Sequence, residues 1–326
     1  MKALVTGGNG FIGSFLVEKL LKEGISVRCL VRQTSNLRWL KNLPIEWIYG
    51  DLADQAALAK AVADVHYIFH VAGVIKASTR DKFFSANCTG TMNLARAALA
   101  HAPKLQRFVF VSSVAATGPV EGSLPPTEDS RCQPVSDYGK SKWEAEEQLK
   151  VIGRDLPLTI IRPPIVYGPR DEHFLIFFKF AKRGVFFVPA PYQRYYSIIH
   201  VEDLVNGIYL ASQNMEALGK TYFIANSEVY SFESMAHQVC RLFSRQPKFI
   251  HVPRFAVRVV GWVGDMVGWL TRKDVFINSK KIPELEAASW ICSSEKARRE
   301  LGFRAKMPLS AGFDHAIAWF RKNNYL

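Results

Sequence analysis

Apolar runs of strand length alternate with helix-period segments along the first half of this 326-residue chain. The runs are rich in valine, isoleucine and phenylalanine, as in KALVTGG, ISVRCLVR, HYIFHVAG and RFVFVSS. Segments with helical periodicity, such as FIGSFLVEKLLKEG, lie between them. Strands that are apolar on both faces and alternate with helices form a parallel sheet covered on both sides. The sequence therefore predicts an α/β fold built on a doubly wound parallel sheet.

The turn between the first strand and the first helix carries the octapeptide TGGNGFIG. Gly7 permits a tight turn, Gly10 lets the backbone approach a pyrophosphate, and Gly13 allows the helix and strand to pack closely. The helix N-terminus adds free N–H groups and a partial positive charge. This arrangement predicts a Rossmann-type dinucleotide-binding unit, in which Phe11 and Ile12 belong to the phosphate loop.

The end of the second strand, LVRQTSN, bears on the choice of dinucleotide. An acidic residue there hydrogen bonds the ribose hydroxyls and favours NAD, whereas Arg32 suits a 2′-phosphate. Thr34, Ser35 and Asn36 supply further donors. We therefore expect NADP rather than NAD, and the alternative is an exposed arginine that contacts nothing. Asp51, after the third strand, is placed to reach the adenine edge.

The composition bears on the compartment and on the kind of fold. Hydrophobic residues make up 48% and charged residues 22% of the chain, which is ordinary for a globular protein. The five cysteines are scattered and include no C-x-x-C pair. This pattern indicates a reducing compartment and no metal site. Because the first residues run straight into a strand pattern, we expect no signal peptide and a cytoplasmic location.

The net charge of +13 is concentrated towards the C-terminus, where residues 241–326 contain 16 Lys and Arg against 7 Asp and Glu. Such a field attracts anions, but no nucleic-acid-binding module accompanies it, and we expect solvated basic faces and no nucleic-acid partner. The apolar stretch 254–273 is interrupted by charges and does not read as a membrane span. We expect it to pack as a lid or core helix over a hydrophobic pocket. An amphipathic helix in peripheral contact with a membrane is the alternative.

Tyr138 and Lys142 stand four residues apart in SDYGKSKWEAE, a spacing that places both side chains on one helix face. An ammonium group fixed beside a phenol stabilises the phenolate and lowers its pKa. The alternative is an exposed helix start, capped by Ser136 or Asp137, with the lysine in solvent. These residues alone leave both interpretations open.

Seven motifs in order resemble the extended short-chain dehydrogenase/reductases, the family of NAD-dependent epimerases and dehydratases. The resemblance covers essentially the whole chain, and an ordered set is far more specific than any single motif. The motifs are the glycine loop at 7–13, YGDL with Asp51, HVAG at 70–73, Asn87 in ANCTGT, VSSVAATG at 111–118, YGKSK at 138–142, and RPPIVYGPRD at 162–171.

The resemblance implies a catalytic set of Ser113, Tyr138 and Lys142. Tyr138 exchanges a proton with the substrate oxygen, and Lys142 holds the nicotinamide ribose and lowers the pKa of the tyrosine. The family register selects Ser113 rather than the adjacent Ser112 to hydrogen bond the substrate oxygen. Asn87 begins a helix beneath the site and either caps that helix or positions a water. The further cofactor contacts implied are Leu52, Val71, Ala72, Pro163 and Val166.

Two positions discriminate between branches of this family. Sugar-nucleotide enzymes typically carry Asn three residues before the glycine of the YGP motif, where this chain has Ile165. They also carry Arg five residues before the Val of a V-x-D motif, where this chain has Tyr196, with Arg194 two residues away. Because a charge-assisted phosphate contact is missing, a diphosphate substrate is disfavoured.

The pattern is therefore similar to the 3β-hydroxysteroid dehydrogenase and dihydroflavonol reductase branch. It predicts an NAD(P)-dependent oxidoreductase that transfers a hydride to or from a carbonyl or alcohol of a largely hydrophobic substrate. One alternative is a sugar-nucleotide epimerase or dehydratase with tightly bound, recycled NAD. A second alternative is a non-catalytic dinucleotide-sensing scaffold.

The expected organisation has two parts. Residues 1–165 and about 197–226 form the cofactor domain, and 166–196 with about 227–326 form a smaller, mostly helical substrate domain. The aromatic residues of this second part line an apolar pocket or form an ordinary small-domain core. The family suggests a homodimer through the helix that carries Tyr138. The predicted substrate contacts are Tyr196, Arg194 and Phe174.

Overall fold

A computed structural model describes residues 1–122, 124–153, 155–189, 193–271, 275, 279, 282–287 and 289–326. Its main sheet has seven strands, and every pair of neighbours is parallel. With strands numbered in chain order, the spatial order is β10 (Thr221–Phe223), β6 (Leu158–Arg162), β5 (Arg107–Val111), β4 (Tyr67–His70), β1 (Lys2–Thr6), β2 (Ser26–Val31) and β3 (Ile45–Tyr49).

The chain winds in two directions from the centre of this sheet. It first adds β2 and β3 on one side of β1, and then returns to add β4, β5, β6 and β10 on the other. Thr6 at the end of β1 pairs with His70 at the end of β4. The direction of winding therefore reverses between β1 and β4. In open α/β sheets, ligands bind outside the carboxyl ends of the strands at such a reversal.

Helices cover both faces of the sheet, as the apolar strands require. One buried cluster joins the sheet to α1, α8 and α12, and the other joins it to α2, α4 and α6. The doubly wound fold predicted from the sequence is confirmed. These helices and their short companions are α1 (Phe11–Lys22), α2 (Gln55–Val62), α3 (Arg80–Phe84), a π-helical turn (Ser85–Thr89), α4 (Gly90–His101), α5 (Val114–Thr117), α6 (Asp137–Ile152), α8 (Val201–Gln213), a 3-10 turn (Met215–Ala217) and α12 (Glu295–Leu301).

The rest of the described chain forms a second assembly of short strands and helices. β9 pairs with β7, β11 and β13, and β8 pairs in parallel with β12. The predicted domain boundaries stay a prediction. The elements are β7 (Ile165–Tyr167), α7 (Leu175–Arg183), β8 (Val185–Pro189), β9 (Tyr195–His200), β11 (Val229–Ser231), α9 (Phe232–Arg241), β12 (Lys248–Val252), α10 (Arg254–Thr271), α11 (Ile282–Glu286), β13 (Ser289–Trp290) and α13 (Leu309–Lys322).

An aromatic core holds this second assembly together. The ring of Phe174 lies 5.1–5.8 Å, centroid to centroid, from four aromatic neighbours on α7, β7 and α13. Phe178 and Phe313, two of these neighbours, are fully buried. Phe174 therefore packs against the core and is partly buried, and its predicted contact with substrate stays a prediction. These aromatic residues therefore form a small-domain core, which was the alternative to an apolar pocket.

The apolar stretch that begins at residue 254 forms α10, and most of its large side chains face solvent. Trp262 is 67% exposed and Trp269 is 79% exposed. The expected core helix is therefore wrong for 254–271, whereas a lid over a hydrophobic pocket stays a prediction. The predicted positions 272 and 273 lie outside the described residues. Among the described residues, no helix combines the length and apolar character needed to cross a membrane.

Candidate active site

Two adjacent serines follow the end of β5 and have different partners. Ser113 caps α5, and its Oγ accepts a hydrogen bond from the backbone N–H of Ala115 at 3.1 Å. The Ser113 hydroxyl also lies close enough to the phenol of Tyr138 to influence its pKa. Ser112 instead donates to the carboxylate of Glu146 in the buried interior.

Tyr138 lies in the first turn of α6, which is capped by Ser136. The next residue explains its position, because a Cβ on Gly139 would lie 2.3 Å from the carbonyl oxygen of Ala115. Only glycine lets α6 approach α5 so closely, and this contact brings Tyr138 beside Ser113. Burial raises the pKa of Tyr138 to about 12, and the nearby hydroxyl of Ser113 opposes this effect.

Lys142 lies one turn further along α6 and is only 3% exposed. Its Nζ donates to the carbonyl oxygen of Val111 at 2.8 Å and lies 4.7 Å from the ring centroid of Phe110. Burial lowers the pKa of Lys142 to about 8, against the opposing effect of Glu146. The alternative of an exposed helix start required Lys142 to lie in solvent. Because Lys142 is buried, that alternative is wrong. Its effect on the pKa of Tyr138 stays a prediction.

A buried ion pair anchors α6 behind these residues. Glu146 and Arg162 are 0% and 2% exposed, and the Arg162 NH2 group lies 2.5 Å from Glu146 Oε2. Arg162 also donates to the hydroxyl of Thr117 at 3.2 Å. A buried charge pair persists only when its remaining donors and acceptors are satisfied, and Ser112 helps to satisfy this one. The sequence analysis missed the pair, although Glu146 stands four residues after Lys142.

The glycine loop lies at the reversal between β1 and β4. Gly7 has φ +71°, and a Cβ there would lie 2.6 Å from the backbone nitrogen of Ala72. A Cβ on Gly13 would lie 2.1 Å from the carbonyl oxygen of Gly7. Gly10 is different, because a Cβ there meets only Gly7 O, at 3.2 Å. Gly7 and Gly13 thus serve chain packing, while Gly10 leaves the start of α1 open for a pyrophosphate.

The remaining predicted cofactor residues lie along the same edge of the sheet. Val71 donates to the carbonyl oxygen of Thr6, and Pro163 accepts from the backbone of Val114. Phe11, Ile12 and Val166 are partly buried against the core on the α1 side. Leu52 follows Asp51 after β3, and its carbonyl oxygen accepts from Asn93 at 2.9 Å. These positions fit a dinucleotide laid across the strand ends.

Arg32 and Asp51 follow the neighbouring strands β2 and β3. Arg32 is exposed, and its backbone N–H donates to the hydroxyl oxygen of Ser35 at 3.1 Å. Asp51 is also exposed, and its Oδ1 accepts from Ala53 N at 2.8 Å and from Asp54 N at 3.2 Å. Asp51 therefore stabilises its own turn with one oxygen, and its contact with the adenine stays a prediction.

A chain of buried hydrogen bonds starts at the phosphate loop. Thr6 Oγ1 and Thr91 Oγ1 lie 2.7 and 2.8 Å from the two ring nitrogens of His70. Thr91 donates its hydroxyl hydrogen to Asn87 O, so it must accept from His70 Nε2. Nδ1 of His70 then accepts from Thr6. Burial lowers the pKa of His70 to about 3, with a smaller contribution from the Lys142 charge, and the imidazole is neutral.

Asn87 continues this chain towards the catalytic candidates. Its side chain accepts from Val74 N at 2.7 Å and donates to Val74 O and Ser141 Oγ, each at 3.0 Å. Ser141 in turn donates to the carbonyl oxygen of Tyr138 at 2.8 Å. Asn87 lies within a π-helical turn inside a continuous helical run, so the expectation that it begins and caps a helix is wrong.

Tyr196, one of the two positions that discriminate between branches, lies on β9, and Arg194 directly precedes this strand. Tyr196 is partly buried and Arg194 is 4% exposed. Burial raises the pKa of the Tyr196 phenol, and the Arg194 guanidinium lowers it. Arg194 therefore already lies beside the predicted phosphate-contact position without any shift in the strand.

A cavity of about 580 Å³ lies between the segment after α5 and the elements α10 and α11. Its wall includes Thr117 at the end of α5 and the charged side chains of Glu121, Arg131, Arg254 and Glu286. The charge of Arg194 also lowers the pKa of Glu286 after the larger effect of Arg258. The lining of this cavity is thus mixed in character and not the apolar pocket expected from the sequence.

Comparison with known proteins identifies the group to which these features belong. The model of the NAD-dependent epimerase/dehydratase family matches residues 3–225. A ceramide reductase of Caulobacter vibrioides is 29% identical over 99% of this chain and 95% of its own length. A 4-hydroxy-2-methyl-3-oxo-4-farnesyl-3,4-dihydroquinoline-1-oxide ketoreductase of Stigmatella aurantiaca is 27% identical over 96% of this chain and 95% of its own.

The fold is similar to that of solved structures over nearly its full length. The crystal structure of UDP-glucose 4-epimerase from Thermotoga maritima with UDP-glucose superposes with a TM-score of 0.82. The superposition covers 99% of this chain and 100% of the epimerase chain, and the two sequences are 21% identical. At this level of identity the likeness shows the fold alone.

Proposed function

The chain belongs to the NAD-dependent epimerase/dehydratase family, and from that premise we propose that it is a net oxidoreductase. It transfers a hydride between NADP(H) and a carbonyl or alcohol of a largely hydrophobic substrate. The observation that carries the proposal is the close packing of α6 on α5 at Gly139, which brings Tyr138 beside Ser113 at the carboxyl edge of the sheet. A serine and a tyrosine that lie side by side can both meet one substrate oxygen.

Each residue has a distinct task in this reaction. Tyr138 donates its phenolic proton to the carbonyl oxygen during reduction and takes it back during oxidation. Ser113 hydrogen bonds the same oxygen and fixes its distance from Tyr138. Lys142 holds the ribose of the dinucleotide and provides positive charge behind the phenol. The dinucleotide, when bound, supplies or accepts the hydride.

The surroundings of Tyr138 keep it protonated until a ligand arrives. Its raised pKa suits a proton donor in the reductive direction, since the phenol stays neutral through the physiological range. Lys142, with a pKa near 8, is charged below that pH. We therefore expect the reductive activity to fall above about pH 8, as Lys142 loses its proton.

The preference for NADP rests on Arg32. The guanidinium follows β2 at the place where a ribose-binding acid stands in NAD enzymes, and Arg32 is exposed. A 2′-phosphate there gains a charge-assisted hydrogen bond.

Ile165 and Tyr196 support a net oxidoreductase over an enzyme that recycles its cofactor. The positions that hold the sugar nucleotide in that branch carry neither an amide nor a guanidinium here. The names of two relatives support a hydrophobic substrate, since one acts on ceramide and the other on a farnesylated quinoline. We also propose that residues 166–196 and 227–326 bind this substrate and that α6 forms a homodimer interface.

A second candidate is an epimerase or dehydratase of a diphosphate-linked sugar. One observation favours it: Arg194 lies beside Tyr196, and its charge acts on Glu286 in the cavity wall. In this role Arg194 binds the diphosphate, and the cofactor stays bound between turnovers.

The proposal is tested by NADPH oxidation with a panel of hydrophobic ketones. Tyr138→Phe is expected to lower kcat roughly 100-fold or more, because a positioned general acid contributes about that factor. Its NADPH dissociation constant should stay within about twofold, since no dinucleotide contact is assigned to the hydroxyl. Tyr49→Phe, at a 47% exposed position in β3, is the matched control and should change neither value. Turnover retained in Tyr138→Phe would remove the proton donor from the account.

A further inference from the structure

Helix α10 packs against the rest of the protein through a narrow stripe of small and β-branched residues. Val257, Gly261 and Gly264 are its buried positions. A Cβ on Gly261 would lie 2.9 Å from two side-chain carbons of Ile282, so the glycine lets α10 lie directly on α11. Arg258 adds an ion pair with Glu286, with Nε 2.9 Å from Oε1. This stripe and ion pair fix the orientation of the helix.

The opposite face of α10 consists of large apolar side chains that face solvent. Successive helix residues are turned by about 100°, so these side chains fall within one arc of about 180°. Arg254, Arg258 and Asp265 border this arc on one side. The nine side chains, 41–79% exposed, are Phe255, Val259, Val260, Trp262, Val263, Met266, Val267, Trp269 and Leu270.

Such a face is unusual on a protein surface. Monomeric proteins rarely expose contiguous apolar patches larger than a few hundred Å², and larger patches mark sites of association. The 18 residues of α10 span about 27 Å, and the apolar side chains run over its whole length.

The charge around α10 indicates which partner fits this face. Residues 245–287, which include α10 and α11, contain eight Lys and Arg against four Asp and Glu. A second copy of the chain seated on the same face would bring two such positive segments together, which is unfavourable. An anionic lipid surface complements both features, because it accepts apolar side chains and attracts the basic flank.

We propose that α10 docks the protein on the surface of an anionic membrane. The helix lies in the interface plane, with Trp262 and Trp269 among the side chains that enter the boundary between headgroups and acyl chains. The proposal is argued from α10 alone and does not depend on the reaction.

Flotation of the purified full chain with lipid vesicles tests it. We expect the chain to float with vesicles of phosphatidylcholine mixed with phosphatidylglycerol, and to float much less with phosphatidylcholine alone. The double variant Trp262→Glu/Trp269→Glu should reduce binding roughly tenfold or more, because it places two charges in the apolar face. The matched control is Met215→Glu/Leu218→Glu, at positions 75% and 47% exposed at the 3-10 turn, and should float like the unaltered chain.

The other outcomes overturn the proposal. Unaltered chain that stays with the aqueous fraction, or a tryptophan double variant that floats as well as the control, excludes membrane docking through α10. An oligomer that the double variant dissociates, without vesicle binding by the unaltered chain, makes the face a contact between copies instead. NADPH affinity measured on all three proteins establishes that each is folded.

Discussion

The hydroxyl of Ser113 lies beside the phenol of Tyr138 and lowers its pKa, while the hydroxyl of the preceding serine donates to a buried carboxylate. Two adjacent serines thus have different places: Ser113 lies at the proposed reaction centre, and Ser112 lies in the buried core. Ser113 meets the phenol because α5 begins there and α6 packs on it through Gly139. Ser112 completes the ion pair of Glu146 and Arg162 behind the site.

The two serines should therefore respond differently to the same substitution. Ser113→Ala is expected to lower kcat/KM roughly 100-fold or more, and to cost only about 1 kcal/mol of stability through the lost cap of α5. Ser112→Ala should lower the free energy of unfolding by about 1–3 kcal/mol, because Glu146 loses a buried donor. Urea unfolding and steady-state kinetics on both variants measure this contrast. A larger loss of kcat/KM in Ser112→Ala would show that the register is wrong.

Arg32→Asp should exchange the cofactor preference. Loss of the guanidinium removes a charge-assisted contact to the 2′-phosphate, and the new carboxylate repels it, so the KM for NADPH should rise roughly tenfold or more. The KM for NADH should fall, since the carboxylate can accept from the ribose hydroxyls. Lys41→Asp, at another exposed position, makes the same change in charge and controls for the overall field. Equal effects of both variants would remove the basis for NADP.

Acid should destabilise the fold through His70. The folded protein keeps this imidazole neutral down to about pH 3, whereas an unfolded histidine binds its proton near pH 6.5. The unfolded state thus binds more protons in this window, and stability falls as the pH falls. His70 should account for a loss of about 2–3 kcal/mol between pH 7 and 4.5.

The contribution of His70 is isolated by substitution. His70→Gln should be less stable at pH 7 and should lose less stability on acidification than the unaltered chain, as measured by urea unfolding across the pH range. His101→Gln, at an exposed position, should leave the slope unchanged. An unaltered slope in His70→Gln would mean that other groups, such as His200 with its pKa lowered by burial to about 4, carry the effect.

The pair of Arg194 and Tyr196 separates the two candidate functions. We expect no measurable binding of UDP-glucose by calorimetry, either to the unaltered chain or to Tyr196→Arg. If the second candidate is right, UDP-glucose binds the unaltered chain, and Arg194→Gln weakens that binding roughly tenfold or more. NADPH affinity of each variant serves as the control for folding.

The sequence predicted the structure best where a short pattern of residues is compatible with a single local structure. Apolar strands that alternate with helices have to form a covered parallel sheet, and the spacing of Gly7, Gly10 and Gly13 placed the phosphate loop. Tyr138 and Lys142 were found by helical spacing and by resemblance. For each of these, neighbours in sequence are also neighbours in space.

The parts that were missed depend on contacts between distant segments. Arg162 meets Glu146 only because β6 lies beneath α6, and Asn87 meets Ser141 across two helices. The apolar residues of 254–270 have the composition of a core helix, and composition alone does not say whether a helix face turns inward. The packing of Phe174 was not predicted for the same reason. Two of its four aromatic neighbours, Tyr167 on β7 and Phe313 on α13, lie beside it only in the folded chain.

The dinucleotide content of the freshly purified protein tests the central claim most directly. The dinucleotide is released by denaturation and quantified against protein. As a net oxidoreductase, the chain should carry little bound dinucleotide and should take up NADPH reversibly, because the cofactor leaves after each turnover. A nearly stoichiometric content of NAD that survives dialysis would contradict this account, and would establish a recycled cofactor as in an epimerase or dehydratase.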